Sequence, residues 1–302
     1  TRRILAAANA VIQNNQRRKG KNLWTEGSEG DPIELSECAD DRGEARQITE
    51  TISGHFGVHT ANDMAVLYRT NAQSRSLEQE LQSAGINYEI VGGLRFYERR
   101  EIKDLLAYLR ILINPADDVS LRRIVNVPKR GIGDTTLGGL AEYGRQHRMT
   151  LAASLDHLAE IPGLNPRSRK QLERFHDLMQ LLRKSLDDLD LPGLGMEVFE
   201  QSGYREMLRA EGTPEAEVRE QNVDQLIADM VEFCQDAERP TLEEFLEAKS
   251  LMSPTDEMSD SEETITLMTL HSAKGLEFPI VFICGLEEDL FPTARALEEA
   301  RT

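Results

Sequence analysis

Apolar residues recur at i, i+3, i+4 and i+7 spacing across residues 4–12, a period that predicts an amphipathic helix. Arg17, Arg18, Lys19 and Lys21 follow, then a glycine-rich acidic turn over 26–32 and the short apolar run Ile33-Glu34-Leu35. A second helix is predicted over 44–55. Residues 64–68, Met-Ala-Val-Leu-Tyr, are apolar without interruption, as in a strand buried on both faces. Ser76 and Gln79 fit a capping box that opens a helix reaching about Ala84, with Gly85 as its stop. Residues 86–91 alternate like another strand. Strand, helix, strand in this order points to α/β architecture with a parallel, nucleotide-binding-type sheet.

Gly92-Gly93 then breaks the pattern. A strong helix is predicted over 98–113, ended by Asn114-Pro115. From there to about 263 only helix and loop are predicted, with helices at 121–125, 137–145, 151–158, 168–186, 198–210, 217–236 and 242–250. Thr241 and Glu244 form a second capping box, and 253–263 is polar and acidic, like a linker. Strand character returns at 265–270 and 279–284. A two-strand tail could not bury its own faces, so an α/β domain interrupted by an all-α insertion is favoured over two sequential domains. The glycine pair and the acidic linker are its two hinges.

The length of 302 residues suits about two domains, and 39 % apolar with 29 % charged residues marks a soluble globular chain. The formal net charge of −18 argues at first against a nucleic-acid partner. The longest apolar runs are far too short to span a bilayer, and no signal-peptide pattern opens the chain. Cys38, Cys234 and Cys284 are isolated and odd in number, which disfavours a disulfide framework or a cysteine zinc site. His55 and His59 lack a third ligand nearby, so no metal site is expected. A reducing cytoplasm is the expected setting. The chain starts at Thr1 without Met and ends on Arg301-Thr302, and reads as a piece of something longer.

Three stretches carry candidate chemistry. In 68–75, Tyr-Arg-Thr-Asn-Ala-Gln-Ser-Arg, polar residues follow a parallel strand, where α/β sheets bind ligands; Arg69 and Asn71 suit phosphate or base groups, and an ordinary loop suits the same spacing. In 127–136, Gly131-Ile132-Gly133 precedes a helix beside Lys129 and Arg130, with Thr135 or Thr136 adding a hydroxyl. Such a turn grips a nucleic-acid backbone without reading sequence, or simply joins two packed helices. In 269–278 a strand ends in a hydroxyl, an imidazole, an ammonium and a carboxylate. Lys274-Gly275 is in the wrong order for a phosphate loop, and no such loop occurs in the chain.

The whole stretch 269–279, Thr-Leu-His-Ser-Ala-Lys-Gly-Leu-Glu-Phe-Pro, resembles helicase motif V of superfamily 1 DNA helicases of the UvrD/PcrA/Rep type, and segments 68–75, 91–104, 126–133 and 287–292 are similar to other segments of that family. The resemblance implies that 1–92 and 264–302 form the second RecA-like, P-loop-NTPase-like domain (2A), incomplete, and that 93–263 form the helical 2B subdomain, which swivels at Gly92 and Gly93. It implies that Arg69, Asn71, Thr269 and His271 face single-stranded DNA and that Glu277 reaches toward the ATP ribose. It also implies that Lys103, Lys129, Arg130, Gly131, Ile132, Gly133 and Thr136 face duplex DNA. The family's first RecA-like domain, with its phosphate loop and magnesium-binding acidic motif, is missing. The motif IV arginine would precede Thr1 and the motif VI arginine would follow Thr302. ATP and Mg2+ are therefore expected in the parent, with none bound to this chain and no ATPase activity from it alone. The implied parent unwinds DNA 3′ to 5′ in repair or replication restart. Its implied partners are single-stranded and fork DNA, the first RecA-like domain and repair proteins, with no membrane. The helicase core of a helicase–nuclease subunit and a DNA-binding module without a catalytic parent are the alternatives.

The charge then reads differently. Residues 187–263 hold 23 acidic and 5 basic residues, which is the entire excess. Residues 95–130, leading into the glycine turn, hold 9 basic against 5 acidic residues. The acidic excess marks a face of the insertion turned away from DNA, and the objection to a DNA partner falls.

Overall fold

The computed structural model describes residues 1–13, 22–236, 240–251, 263–288 and 290–291. The basic run at 17–21, nearly all of the acidic linker and 292–302 lie outside the described residues. The chain divides into two compact units, Thr1–Glu44 and Ala45–Thr302.

In the first unit, α1 (Arg2–Gln13) follows the predicted period, but none of its residues is buried. The Asn9 side chain holds the returning chain, donating to the Leu23 carbonyl at 2.9 Å and accepting from its N–H at 3.1 Å. Helix α2 (Asp41–His55), most of which belongs to the second unit, starts at Asp40, whose carboxylate accepts the Gly43 N–H at 2.7 Å.

The second unit holds a four-stranded sheet. Strand β1 (Met64–Tyr68) matches its predicted limits, and α3 (Ser74–Ser83) leads to β2 (Tyr88–Val91). The helical stretch follows: α4 (Arg100–Ile113), α5 (Asp118–Ile124), α6 (Asp134–His147), α7 (Leu151–Ser154), α8 (Pro166–Asp188), α9 (Leu191–Gln201), α10 (Tyr204–Glu211), α11 (Pro214–Asp236) and α12 (Leu242–Leu251). The chain returns in β3 (Ile265–Thr269) and β4 (Ile280–Ile283). All pairings are parallel and the order is β2-β3-β1-β4, with Val66 beside Leu267 and Phe282. The late strand β3 thus inserts between two early ones, and the helical stretch leaves and re-enters one sheet.

Two expectations about local structure change. The predicted helix over 198–210 is two helices, because Gly203 adopts φ +78° between them. The capping interaction expected at Ser76 lies upstream: Gln73 reaches back to the Thr70 N–H at 2.9 Å, and Ser76 is interior to α3. The Thr241–Glu244 box forms as read, with Thr241 Oγ1 accepting from Glu244 N at 3.2 Å.

Apolar burial falls into two clusters. One joins α2, α3 and the sheet through Ile52, Met64, Val66, Leu81, Ile265 and Leu267. The other lies among the helices, around Leu105, Leu109, Leu140, Phe175, Val198 and Phe245. Between them runs a buried polar junction. Arg75 on α3 donates to Asp229 at 3.2 Å and to Glu232 at 3.0 Å, both on α11. Asp229 also accepts from Lys249 at 2.9 Å and from the Tyr97 hydroxyl. Alongside, Glu78 accepts from Ser74 at 2.5 Å and from the Phe96 N–H at 3.0 Å, while Arg99 donates to Ser74 and to Asn222. Burial pushes the Glu78 carboxyl above its usual value and the Arg99 guanidinium below its own, despite their mutual attraction. No helix of the described residues is long and apolar enough to cross a membrane.

Candidate nucleic-acid interface

Parallel pairing puts the C-terminal ends of β1, β2 and β3 on one edge of the sheet. That edge brings together residues 202 positions apart. Arg69, just after β1, places Nη1 3.2 Å from Nδ1 of His271, just after β3, and donates to it when that nitrogen carries its lone pair. The Thr269 and Ser272 hydroxyls are 2.9 Å apart, and Ser272 donates its N–H to Thr269 Oγ1 at 3.2 Å. That bond closes the turn and aims His271 outward. The Asn71 amide lies beside Gly93: a Cβ there would stand 3.6 Å from Asn71 Oδ1. Gly92, at φ +74°, turns the chain against Ser272. Arg69, Asn71, Thr269 and His271 thus share one edge with both glycines. A guanidinium, an amide, hydroxyls and an imidazole suit a phosphodiester backbone with exposed bases.

The turn itself has a built support. Gln73 Oε1 accepts from Arg69 N at 3.0 Å and Thr70 N at 2.9 Å. The Thr70–Gln73 spacing is a capping-box signal that could have identified this side chain from the sequence.

Glu277 is exposed in the connection before β4. Among the described residues no three His, Cys, Asp or Glu form a metal-binding group.

The second place is the turn between α5 and α6. Asn126 Oδ1 accepts from Arg130 N at 2.8 Å and Ile132 N at 3.2 Å, folding 126–132 onto itself. Arg130 is placed differently from expectation. Its guanidinium donates to the carbonyls of Ile124, Val127 and Ser202 and to the Tyr108 hydroxyl, so it clamps the turn from inside and offers little free charge outward. Burial, against the nearby Arg130 charge, pushes the Tyr108 hydroxyl up to about 12. Ile132, expected to face duplex DNA, is instead turned inward at 1 % exposure, with its N–H taken by Asn126 inside the turn. Lys129, Gly131 and Gly133 are exposed. At Gly131, φ is +76° and a Cβ would meet the Gln171 amide at 2.5 Å; Gly133 has open space. Thr136 donates to Ser168 at 3.2 Å, which brings the first turns of α6 and α8 together. Arg167, Arg169 and Lys170 on that first turn of α8 were not singled out from the sequence; the Asn165-Pro166 helix start ahead of three bases was the available signal. Lys103 is exposed on α4, in a cleft of about 200 Å³ with Arg110, Arg123 and Lys249.

The sequence model of the UvrD-like helicase C-terminal domain matches residues 1–302. Similar curated proteins include the ATP-dependent DNA helicase PcrA of Bacillus subtilis (strain 168), 44 % identical over 307 residues, and PcrA of Staphylococcus aureus (strain Mu50), 44 % identical over 301. PcrA of Staphylococcus epidermidis is 43 % identical over 303 residues. Each alignment covers 99 % of this chain and 41 % of the relative, so the chain spans about two-fifths of the length of the relatives it matches.

Proposed function

Because the chain belongs to the UvrD-like helicase C-terminal domain family, we propose that it is the DNA-handling half of an ATP-dependent DNA helicase moving 3′ to 5′ in repair or replication restart. Residues 1–92 and 264–302 serve as domain 2A and 93–263 as domain 2B, joined at Gly92 and Gly93. Arg69, Asn71, Thr269 and His271 hold the single strand. Lys129 and the backbone of Gly131 and Gly133 meet duplex phosphates, with Ile132, Thr136 and Arg130 shaping that turn and Lys103 adding charge on α4. The observation that carries this reading is the meeting of Arg69 and His271 at 3.2 Å, from strands far apart in sequence, on the ligand-binding edge of a parallel sheet.

The parent uses ATP with Mg2+, and Glu277 faces the nucleotide from this side. The triphosphate is held by a first RecA-like domain, and the chain alone hydrolyses no ATP. Single-strand stepping follows from opening and closing the cleft between the two RecA-like domains. Binding of a fluorescent single strand by the purified chain, read by anisotropy, tests the reading. Arg69→Ala with His271→Ala should weaken it at least ten-fold, and the affinity should fall steeply with salt. Unchanged affinity would remove this edge from the DNA path, and DNA-stimulated ATP turnover by the chain alone would overturn the division of labour.

A further inference from the structure

We propose that Gln73 is the positioning residue of the single-strand edge and that Gly285 is glycine to admit it. The inference rests on the reading that this edge binds DNA. Gln73 lies in the short 3-10 turn Asn71–Gln73, between β1 and α3. Its side chain points back rather than out. One oxygen, Oε1, collects the N–H groups of Arg69 and Thr70 at 3.0 and 2.9 Å, with the Thr70 hydroxyl at 3.5 Å. Those two N–H groups lie where the chain leaves the sheet. Both are satisfied by the carboxamide, which takes over their pairing beyond the end of β1.

The other end of the amide explains Gly285. This residue follows β4, the strand beside β1, and adopts φ +67°. A Cβ there would stand 1.9 Å from Gln73 Nε2. The carboxamide therefore fills the place of a side chain at 285. Gln73 spans the ends of two adjacent strands and fixes the backbone from which Arg69 and Asn71 project. Arg69 reaches His271, and Asn71 lies beside Gly93. The direction of both DNA-facing side chains is set by one acceptor that touches no DNA.

The test uses the 302-residue chain and three variants. Gln73→Met keeps the length and removes the acceptor. Gln73→Glu keeps the acceptor. Gly285→Ala leaves Gln73 intact and displaces its amide. Amide hydrogen exchange reads Arg69 and Thr70 directly, without DNA. Protection at these two amides should be lost in Gln73→Met and Gly285→Ala and kept in Gln73→Glu. Affinity for an oligothymidine strand should fall about ten-fold in Gln73→Met, because the edge is no longer held ready for the strand. Added to Arg69→Ala, Gln73→Met should cost much less than it does alone, because both act through Arg69. Equal protection in wild type and Gln73→Met would overturn the proposal. So would additive losses, which mark a merely structural effect. If Gln73→Met does not fold, Gly285→Ala decides by the same amides. If protection is lost but the wild-type chain binds no single strand, the DNA reading fails while the support of the turn stands.

Discussion

Arg75→Met tests how the two apolar clusters are joined. Arg75 is 3 % exposed and Asp229 2 %. The guanidinium makes one bond to Asp229 and a two-pronged contact to Glu232. Methionine keeps much of the volume and removes the charge. Deleting one partner of a buried ion pair costs about 3–5 kcal/mol, because a desolvated charge is left behind. Here the low end applies: Asp229 keeps Lys249 at 2.9 Å and the Tyr97 hydroxyl, and Glu232 is 24 % exposed and regains some water. We expect a loss of about 3 kcal/mol, or about 6–12 °C in melting temperature. Because the pair joins α3 to α11, the loss should split the clusters, giving a second step or a smaller m-value in urea followed by circular dichroism. The loss should change little between 0.05 and 0.5 M salt, since a buried pair is poorly screened. A cost below about 1 kcal/mol, or one that vanishes in salt, would refute the reasoning: the pair would then be an exposed contact.

Two further outcomes follow from burial and backbone geometry. Glu78 has a folded-state carboxyl raised above 4.5 by burial, so the folded state binds its proton more tightly. Its contribution therefore falls as pH rises from about 4.5 through the raised value and stays unfavourable above it. Glu78→Gln removes that dependence: its stability relative to wild type should rise between pH 5 and pH 7, read from urea midpoints, and a pH-independent difference would contradict the shift. Gly131→Ala must hold φ +76° against the Gln171 amide and should lose about 1–2 kcal/mol. Gly133→Ala, with open space and ordinary φ, should melt within a degree or two of wild type; equal losses would show that the turn is misread.

What was legible in the sequence followed from burial period. Residues 64–68 read as a strand because both faces are covered, and β1 has those limits. The parallel sheet was legible because β1 is an apolar run, residues 86–91 alternate, and a helix lies between them. The break at Gly203 was not, since an apolar period continues through it and only the backbone angle marks the turn. At the second site, Lys129 and Arg130 look alike in sequence. Which one faces solvent depends on carbonyls gathered by the Asn126-centred turn and on Ser202, 72 residues away. The junction was illegible for the same reason: Arg75 meets Asp229 across 154 residues, and nothing local to either names its partner.

The position of β3 also bears on how the chain is made. Strands β1 and β2 leave the ribosome well before β3, yet they are not neighbours: a slot one strand wide separates them, and β3 fills it. Between their synthesis and its arrival lies the entire helical stretch, about ten seconds or more at ordinary elongation rates. The helices, built largely from contacts close in sequence, can close in that interval. Until then neither early strand has a partner, since β4 arrives later still, and their unpaired backbone edges are a template for stray strands. Slowing translation within 93–263 should lengthen that exposure and raise aggregation of nascent chains, whereas slowing it after Ile283 should not.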